Sequence, residues 1–212
     1  SGILNGVDYA EWSPESDAYI AAQYSPHDLA GKRVCKRALL EEFHLPTDNL
    51  DRPLFGIVSR FAEQKGFDLI AGAASFFDEQ DVQLVVLGSG DSKYERIFSD
   101  WHRWLPHKVG VHLGFNNALA HRIEAGADLF LMPSRYEPCG LNQIYSLKYG
   151  TVPIVRATGG LDDTIQEDTG FKFGPFSVGA FYDVLRTALG AYQNRESWSE
   201  RMRRAMAKDF SW

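Results

Sequence analysis

Residues 129–150 read LFLMPSRYEPCGLNQIYSLKYG, and the handover inside this stretch decides the fold. Leu129 to Met132 is an apolar run of strand length, while Leu141, Ile144, Tyr145, Leu147 and Lys148 carry helical spacing. Glu137, Pro138 and Gly140 fall between the two, so a carboxylate, a proline and a glycine occupy a strand-to-helix turn. In open α/β sheets the crevice beyond the carboxyl ends of the strands is where ligands bind. That turn is the first place to look for a site.

Outward from it the same alternation repeats. Leu54–Ser59 reads as a strand and Phe67–Phe77 as a helix; Val82–Leu87 and Tyr94–Trp104 follow in the same order, then Val109–Leu113 and Ala118–Glu124. Beyond the opening stretch come Val152–Val155, a short apolar piece at Gly170–Phe173, and two terminal helices, Val178–Tyr192 and Trp198–Lys208. Strands this apolar, alternating with helices, imply parallel pairing through right-handed crossovers. The expected fold class is therefore α/β, a doubly wound, Rossmann-like parallel sheet with helices on both faces. Residues 1–53 differ: turn-formers such as Asn5-Gly6 and Ser25-Pro26 alternate with Tyr9, Trp12, Tyr19 and Tyr24, and only Lys32–Phe43 looks helical. The expected division is an ordered arm over 1–53 and a Rossmann-like domain over 54–212 that ends in two helices.

Composition narrows the partners. The chain has 212 residues, 44% of them hydrophobic, which is ample for a packed core. A formal net charge of -6 with interspersed signs gives no footprint for nucleic acid or an anionic membrane. No apolar run approaches the roughly 20 residues that span a bilayer, and no signal pattern opens the chain. Cys35 and Cys139 form neither a CxxC nor a metal-like cluster, so a reducing compartment fits best. The aromatic ending Phe210-Ser211-Trp212 and the Ser1-Gly2 start lead to the expectation that the chain is a piece of something larger.

A parallel sheet opens its strand-end loops on one edge. Here they contribute Arg60 and Lys65, then Gly88-Ser89-Gly90, then Gly114-Phe115-Asn116, then Arg135 to Gly140, and finally Thr158 to Leu161. Arg60 and Lys65 could converge on neighbouring phosphates as a fork and a point charge, or could be a solvated surface pair. Glu137, extended because it precedes a proline, should project off the strand end. Gly140 lies near the helix start, where free N–H groups favour a phosphate. A carboxylate so placed would repel that phosphate, so Glu137 suits the hydroxyls of a neutral group attached to it; an ordinary helix-entry acid is the alternative. Phosphate beside polyol is the chemistry of a nucleotide sugar. Phe115 is suited to stacking on a base, worth ~1–3 kcal/mol, or to the core. The glycines around Ser89 lack full GxGxxG spacing and read as a tight turn that clears space for a ligand. The six histidines are scattered without HxxxH or HExxH, and Cys139 has no evident histidine partner, so metal hydrolysis and triad chemistry find no support.

GILNGVD (2–8), SRFAEQKG (59–66), LGSGD (87–91), AHRIEAGADLFLMPSRYEPCGLNQIYSLKYG (120–150) and TGGLDDT (158–164) together resemble the carboxyl-terminal half of bacterial glycogen synthases and plant-type starch synthases. The resemblance implies one half of a two-domain GT-B fold that transfers glucose from ADP-glucose to the non-reducing end of an α-1,4-glucan, with retention and without a metal or other cofactor. It implies catalytic roles for Arg60, Lys65 and Glu137, the cations facing the diphosphate and the carboxylate facing sugar hydroxyls. Amides near Gly140 and Leu141 would cradle the phosphates, and Asn5 would border the cleft. Gly88, Gly114, Phe115, Cys139, Asn142, Tyr145, Gly159 and Gly160 complete the implied substrate-binding set. Many retaining GT-B enzymes carry a second Glu where Tyr145 stands here, which argues against a generic UDP-sugar transferase. A UDP-glucose relative or a non-catalytic nucleotide- or glucan-binding module remain the alternatives. The implied setting is a bacterial cytoplasm or plastid stroma, with the glucan held by an amino-terminal domain that this sequence does not contain.

Overall fold

Runs such as LFGIV and VPIVR are apolar on both faces, so each face needs its own cover. The computed structural model, which describes residues 6–211, supplies it. Strands β1 (Leu54–Val58), β2 (Gln83–Gly88), β3 (Val109–Leu113), β4 (Leu129–Met132), β5 (Val152–Arg156) and β6 (Phe171–Phe173) form one sheet in the order β3-β2-β1-β4-β5-β6. Every pairing in it is parallel, with Leu54 beside Gln83 and Leu129 beside Phe55 and Val152. The helices are α1 (Ala30–Glu42), α2 (Phe67–Gly72), α3 (Ala74–Glu79), α4 (Ser92–Trp104), α5 (Asn117–Gly126), α6 (Asn142–Lys148), α7 (Gly159–Thr164), α8 (Val178–Tyr192) and α9 (Arg195–Met206).

The two faces divide the strands by parity. Phe55, Ile57, Leu84 and Val86 meet Phe76, Phe77, Trp101, Phe181 and Leu185 on one side. Leu54, Val85, Leu87 and Phe130 meet Leu39, Leu40 and Ile123 on the other. A slip of one residue in any central strand would exchange these sets, so the register is fixed by burial. β3, at the edge, ends with His112 and Leu113 exposed.

Two expectations need correction. The single helix over Phe67–Phe77 is two, broken at Ala73 (φ -95°, ψ 20°), where the start of α8 presses Val178 against Gly72. The TGGL segment, read as loop, forms α7, because Leu161 and Ile165 bury against Leu147, Val155 and Ala205 and the Thr164 hydroxyl bonds Gly160 O at 2.5 Å. A double glycine at its start hides that helix from propensity arguments.

The amino-terminal residues are fastened by charge as much as by aromatics. Lys36 Nζ donates to Leu50 O, Arg52 O and Asp128 Oδ2 at 2.7, 2.6 and 2.6 Å, and Lys32 Nζ to Ala125 O and Thr151 Oγ1 at 2.9 and 2.7 Å. Tyr24 Oη reaches Tyr149 O at 2.7 Å. The Val7 N–H donates to Phe210 O at 3.0 Å, so the two ends of the described chain meet. No helix among the described residues is long and apolar enough to cross a membrane.

The carboxylate of Glu124, buried in α5, accepts one bond among the described residues, from Ser146 Oγ at 2.8 Å. Burial raises its pKa to about 8, only partly offset by that hydroxyl and by the charge of Lys32. The folded chain thus keeps a proton that the unfolded chain releases near 4.5, and stability should fall between about pH 5 and pH 8, by up to about 1.4 kcal/mol per unit. Lys32, lowered to about 8 by its own burial, acts above this window, where stability rises with pH. Glu124→Gln preserves a partner for Ser146 and should flatten the loss, as urea unfolding at pH 5 and pH 8 would measure.

Candidate functional site

The chain winds outward in both directions from β1 and β4, which lie side by side at the middle of the sheet. Strand order reverses there, and the crevice beyond their carboxyl ends is the place such a topology provides for a ligand. The two loops that flank it are joined. The Arg135 N–H donates to Gln64 O at 2.8 Å, and Gln64 Nε2 to Tyr136 O at 3.1 Å. A single 3-10 turn at Glu63–Lys65 ends in Gly66 with φ 77°, where a side chain would run into the Pro133 carbonyl.

That junction sets Lys65 Nζ 2.5 Å from Glu137 Oε2. Glu137 is 6% exposed and takes a second, longer bond from Ser134 Oγ at 3.4 Å. The Arg60 side chain is exposed and its guanidinium has no hydrogen bond or ion pair with any other described residue, while the Arg60 carbonyl accepts from Ser59 Oγ at 3.1 Å. The two cations are therefore unlike: one is fixed on a carboxylate and the other is free.

A cleft of about 270 Å³ opens beside them, lined by Val58, Ser59, Arg60, Leu87, Gly88, Ser89, Gly114, Phe115, Asn116, Ala120 and Asn142. Phe115 is 90% exposed, so the core alternative fails and its ring is free for stacking. Asn116 caps α5 by accepting the Leu119 N–H at 2.9 Å. Asn142 Nδ2 donates to Val58 O at 2.8 Å, which pins the start of α6 to the end of β1. Gly88 gives room chiefly to the neighbouring backbone, since a Cβ there would meet Ser59 O; Phe61 and Ser89 are joined by an N–H···O bond of 2.8 Å just beyond.

The remaining predicted residues take several places. Gly140, with φ 69°, turns the loop into α6, and the N–H groups of Cys139, Gly140 and Leu141 meet no acceptor among the described residues. Cys139 is a free thiol in the same loop. Gly159 and Gly160 stand behind it, the Gly160 N–H donating to Glu137 O at 3.1 Å, so they brace the loop and are absent from the cleft lining. Tyr145 is also absent from that lining: its ring stacks on Trp12 at 4.0 Å, and burial raises its pKa. Asn5 lies outside the described residues.

Trp12 stacks on its other side against His121 at 3.6 Å. His121 is fully buried with Nδ1 2.8 Å from Asp17 Oδ2, and Tyr149 Oη donates to the same oxygen at 2.5 Å. Burial alone would raise the Asp17 pKa, but the bonds from His121, Tyr149 and the Tyr19 N–H together lower it. This histidine is held by packing and by Asp17, away from the cleft lining. Sequence reasoning missed Ser134, Gln143 and Trp12 as parts of the site and its support; the spacing of Trp12 from NGVD carried no signal, whereas Ser134 and Gln143 stand within the quoted motif. A second cleft, of about 200 Å³ between α1 and α9, includes Lys36 and Asp128, which satisfy each other at the opposite edge of the sheet.

The family model for group 1 glycosyl transferases matches residues 41–205. A glycogen synthase of Koribacter versatilis is 54% identical over all of this chain and 45% of its own length, and one of Anaeromyxobacter dehalogenans is 50% identical over all of this chain and 46% of its own. Among solved structures, the catalytic domain of starch synthase IV from Arabidopsis thaliana, bound to ADP and acarbose, superposes with a TM-score of 0.94 at 36% identity, matching all of this chain and 46% of that one. A sucrose-phosphate synthase from Thermosynechococcus elongatus follows at 0.65 and 25%, over 82% of this chain and 44% of its own. The chain spans a little under half the length of the curated relatives it matches.

Gly66 offers the sharpest test of the loop junction. Gly66→Ala should destabilise the fold by about 2 kcal/mol or more, from the left-handed backbone and the approach of Pro133 O together. Chemical denaturation of the variant would measure it.

Proposed function

The chain belongs to the group 1 glycosyl transferases, and we propose that it is the donor-binding, carboxyl-terminal half of a glycogen or starch synthase, one half of a GT-B enzyme. The reaction is transfer of glucose from ADP-glucose to the non-reducing end of an α-1,4-glucan with retention. The acceptor oxygen bonds the anomeric carbon, the bond from that carbon to the diphosphate breaks, and ADP leaves, the diphosphate oxygen released from that carbon taking the proton that the acceptor hydroxyl gives up. The observation that carries this reading is that the loops at the carboxyl edge of one parallel sheet bear an arginine and loop amides without partners among the described residues, a lysine–glutamate pair and an exposed phenylalanine. The glycogen synthases at about half identity and the ADP held by the starch synthase neighbour support the same assignment.

Each part has a task in that chemistry. Phe115 offers a face for adenine, and the amides of Gly140 and Leu141 point at the phosphates. Arg60 and Lys65 take up the charge that grows on the leaving diphosphate, the work that a metal does in other transferases. Glu137 holds sugar hydroxyls. Residues 1–53 serve as an interdomain arm, 54–212 as the nucleotide-sugar domain, and the glucan binds across the cleft on an amino-terminal domain. Two free thiols suit a reducing compartment, a bacterial cytoplasm or plastid stroma.

Calorimetry of the chain with ADP, UDP and GDP should give the tightest binding for ADP, and equal affinities would sink the adenine assignment. The isolated chain should show no glucosyl transfer, since the acceptor side is supplied elsewhere. In the full-length enzyme, Arg60→Ala should lower kcat by roughly 10²–10³-fold with an unchanged melting temperature. Lys65→Ala should lower both, because it strands Glu137 nearly buried and unpaired. Transfer rates left intact by both substitutions would favour a non-catalytic module.

A further inference from the structure

We infer that Gln143 is the positioning residue of the phosphate cradle, an inference that rests on the donor-binding reading above. Gln143 is the second residue of α6 and is 0% exposed. Its Nε2 lies 2.9 Å from Cys139 O, 3.3 Å from Gly140 O and 3.3 Å from Thr164 Oγ1. The reverse orientation would set the amide oxygen against two carbonyl oxygens, so the chemistry fixes which end faces the loop. Its Oε1 has no partner among the described residues, which leaves the nitrogen as the working end.

The consequence follows from peptide geometry. In a trans peptide the C=O of one residue and the N–H of the next lie in one plane and point in opposite directions. Gln143 draws the carbonyls of Cys139 and Gly140 toward itself, and so turns the N–H groups of Gly140 and Leu141 away. Those are amides that meet no acceptor among the described residues. The left-handed φ of 69° at Gly140 lets two successive peptide planes present their N–H groups in this way.

The same side chain links this turn to the glycines behind it. Thr164 Oγ1, which accepts from Gln143, donates to Gly160 O at 2.5 Å, and the Gly160 N–H donates to Glu137 O at 3.1 Å. One run of hydrogen bonds therefore sets both the amides proposed for the phosphates and the backbone of the carboxylate proposed for the sugar. Gln143 touches neither ligand; it acts through the loop.

The test compares the chain with its Gln143→Met variant, which keeps the volume and loses the donors, in ligand-detected NMR titrations with ADP and with adenosine. Affinity for ADP should fall roughly tenfold while adenosine, which lacks phosphates, changes by less than about twofold. Parallel losses for both ligands, or no loss of ADP affinity, would overturn the inference and leave the donor-binding reading standing. Failure of the unsubstituted chain to bind ADP would overturn that reading and the inference with it. If Gln143→Met does not fold, Gln143→Glu, equal in size with acceptors in place of donors, is scored the same way. Loss of folding in both would make Gln143 a core residue and overturn the inference.

Discussion

The carboxyl edge of this sheet depends on one ion pair, Lys65 with Glu137 at 2.5 Å. Glu137 is nearly buried, and a carboxylate removed from water without a partner costs several kcal/mol. Lys65 is its ion-pair partner among the described residues, and it is in reach only because the loop after β1 lies against the loop after β4. That contact in turn needs Gly66 with its left-handed backbone beside Pro133, and it needs β1 and β4 to be neighbours. Topology, one glycine and one salt bridge form a single constraint, and the crevice takes its walls from it.

A second anchor lies on the opposite flank of α6. Trp12 is held between His121 and Tyr145, with Asp17 and Tyr149 completing a polar base beneath the stack. Aromatic pairs of this kind are worth ~0.5–1.5 kcal/mol beyond their burial. Their effect here is geometric as well, since they fasten the segment after Val7 to the two helices, α5 and α6, whose starts border the cleft. Movement of that segment relative to the cleft would have to break the stack. Tyr145, which the resemblance places in the substrate-binding set, forms one side of this stack.

Sequence made the layers legible because apolar runs and turn-formers alternate without interruption from Leu54 to Phe173. It made the rim legible too, since parallel strands leave all their following loops on one edge. What it could not give is set by long-range contact. Phe115 reads the same whether buried or bare, and only the open end of β3 decides. The helix at Gly159–Thr164 is invisible to propensity because its stability comes from Leu161 and Ile165 in a core built by distant segments. The inward lysines of α1, which look like solvated charges, are buried because Asp128 and several backbone carbonyls await them.

The pairing of Lys65 with Glu137 raises the question whether the lysine remains available for a diphosphate. An ammonium has three donors, and among the described residues Lys65 spends one, on a single carboxylate oxygen. The bond orients the remaining N–H groups and holds the cation in place before any ligand arrives, so little reorganisation is left for the moment when charge shifts onto the leaving group. Arg60, free and exposed, must instead be ordered by the ligand itself, at a cost in side-chain entropy. In the proposed reaction the two cations therefore do different work: Lys65 is preorganised and gains as negative charge develops, whereas the gain from Arg60 is reduced by its own ordering. The carboxylate beside Lys65 keeps the pair neutral until the donor binds, and this is what allows a lysine to sit ready at the edge of an otherwise apolar sheet.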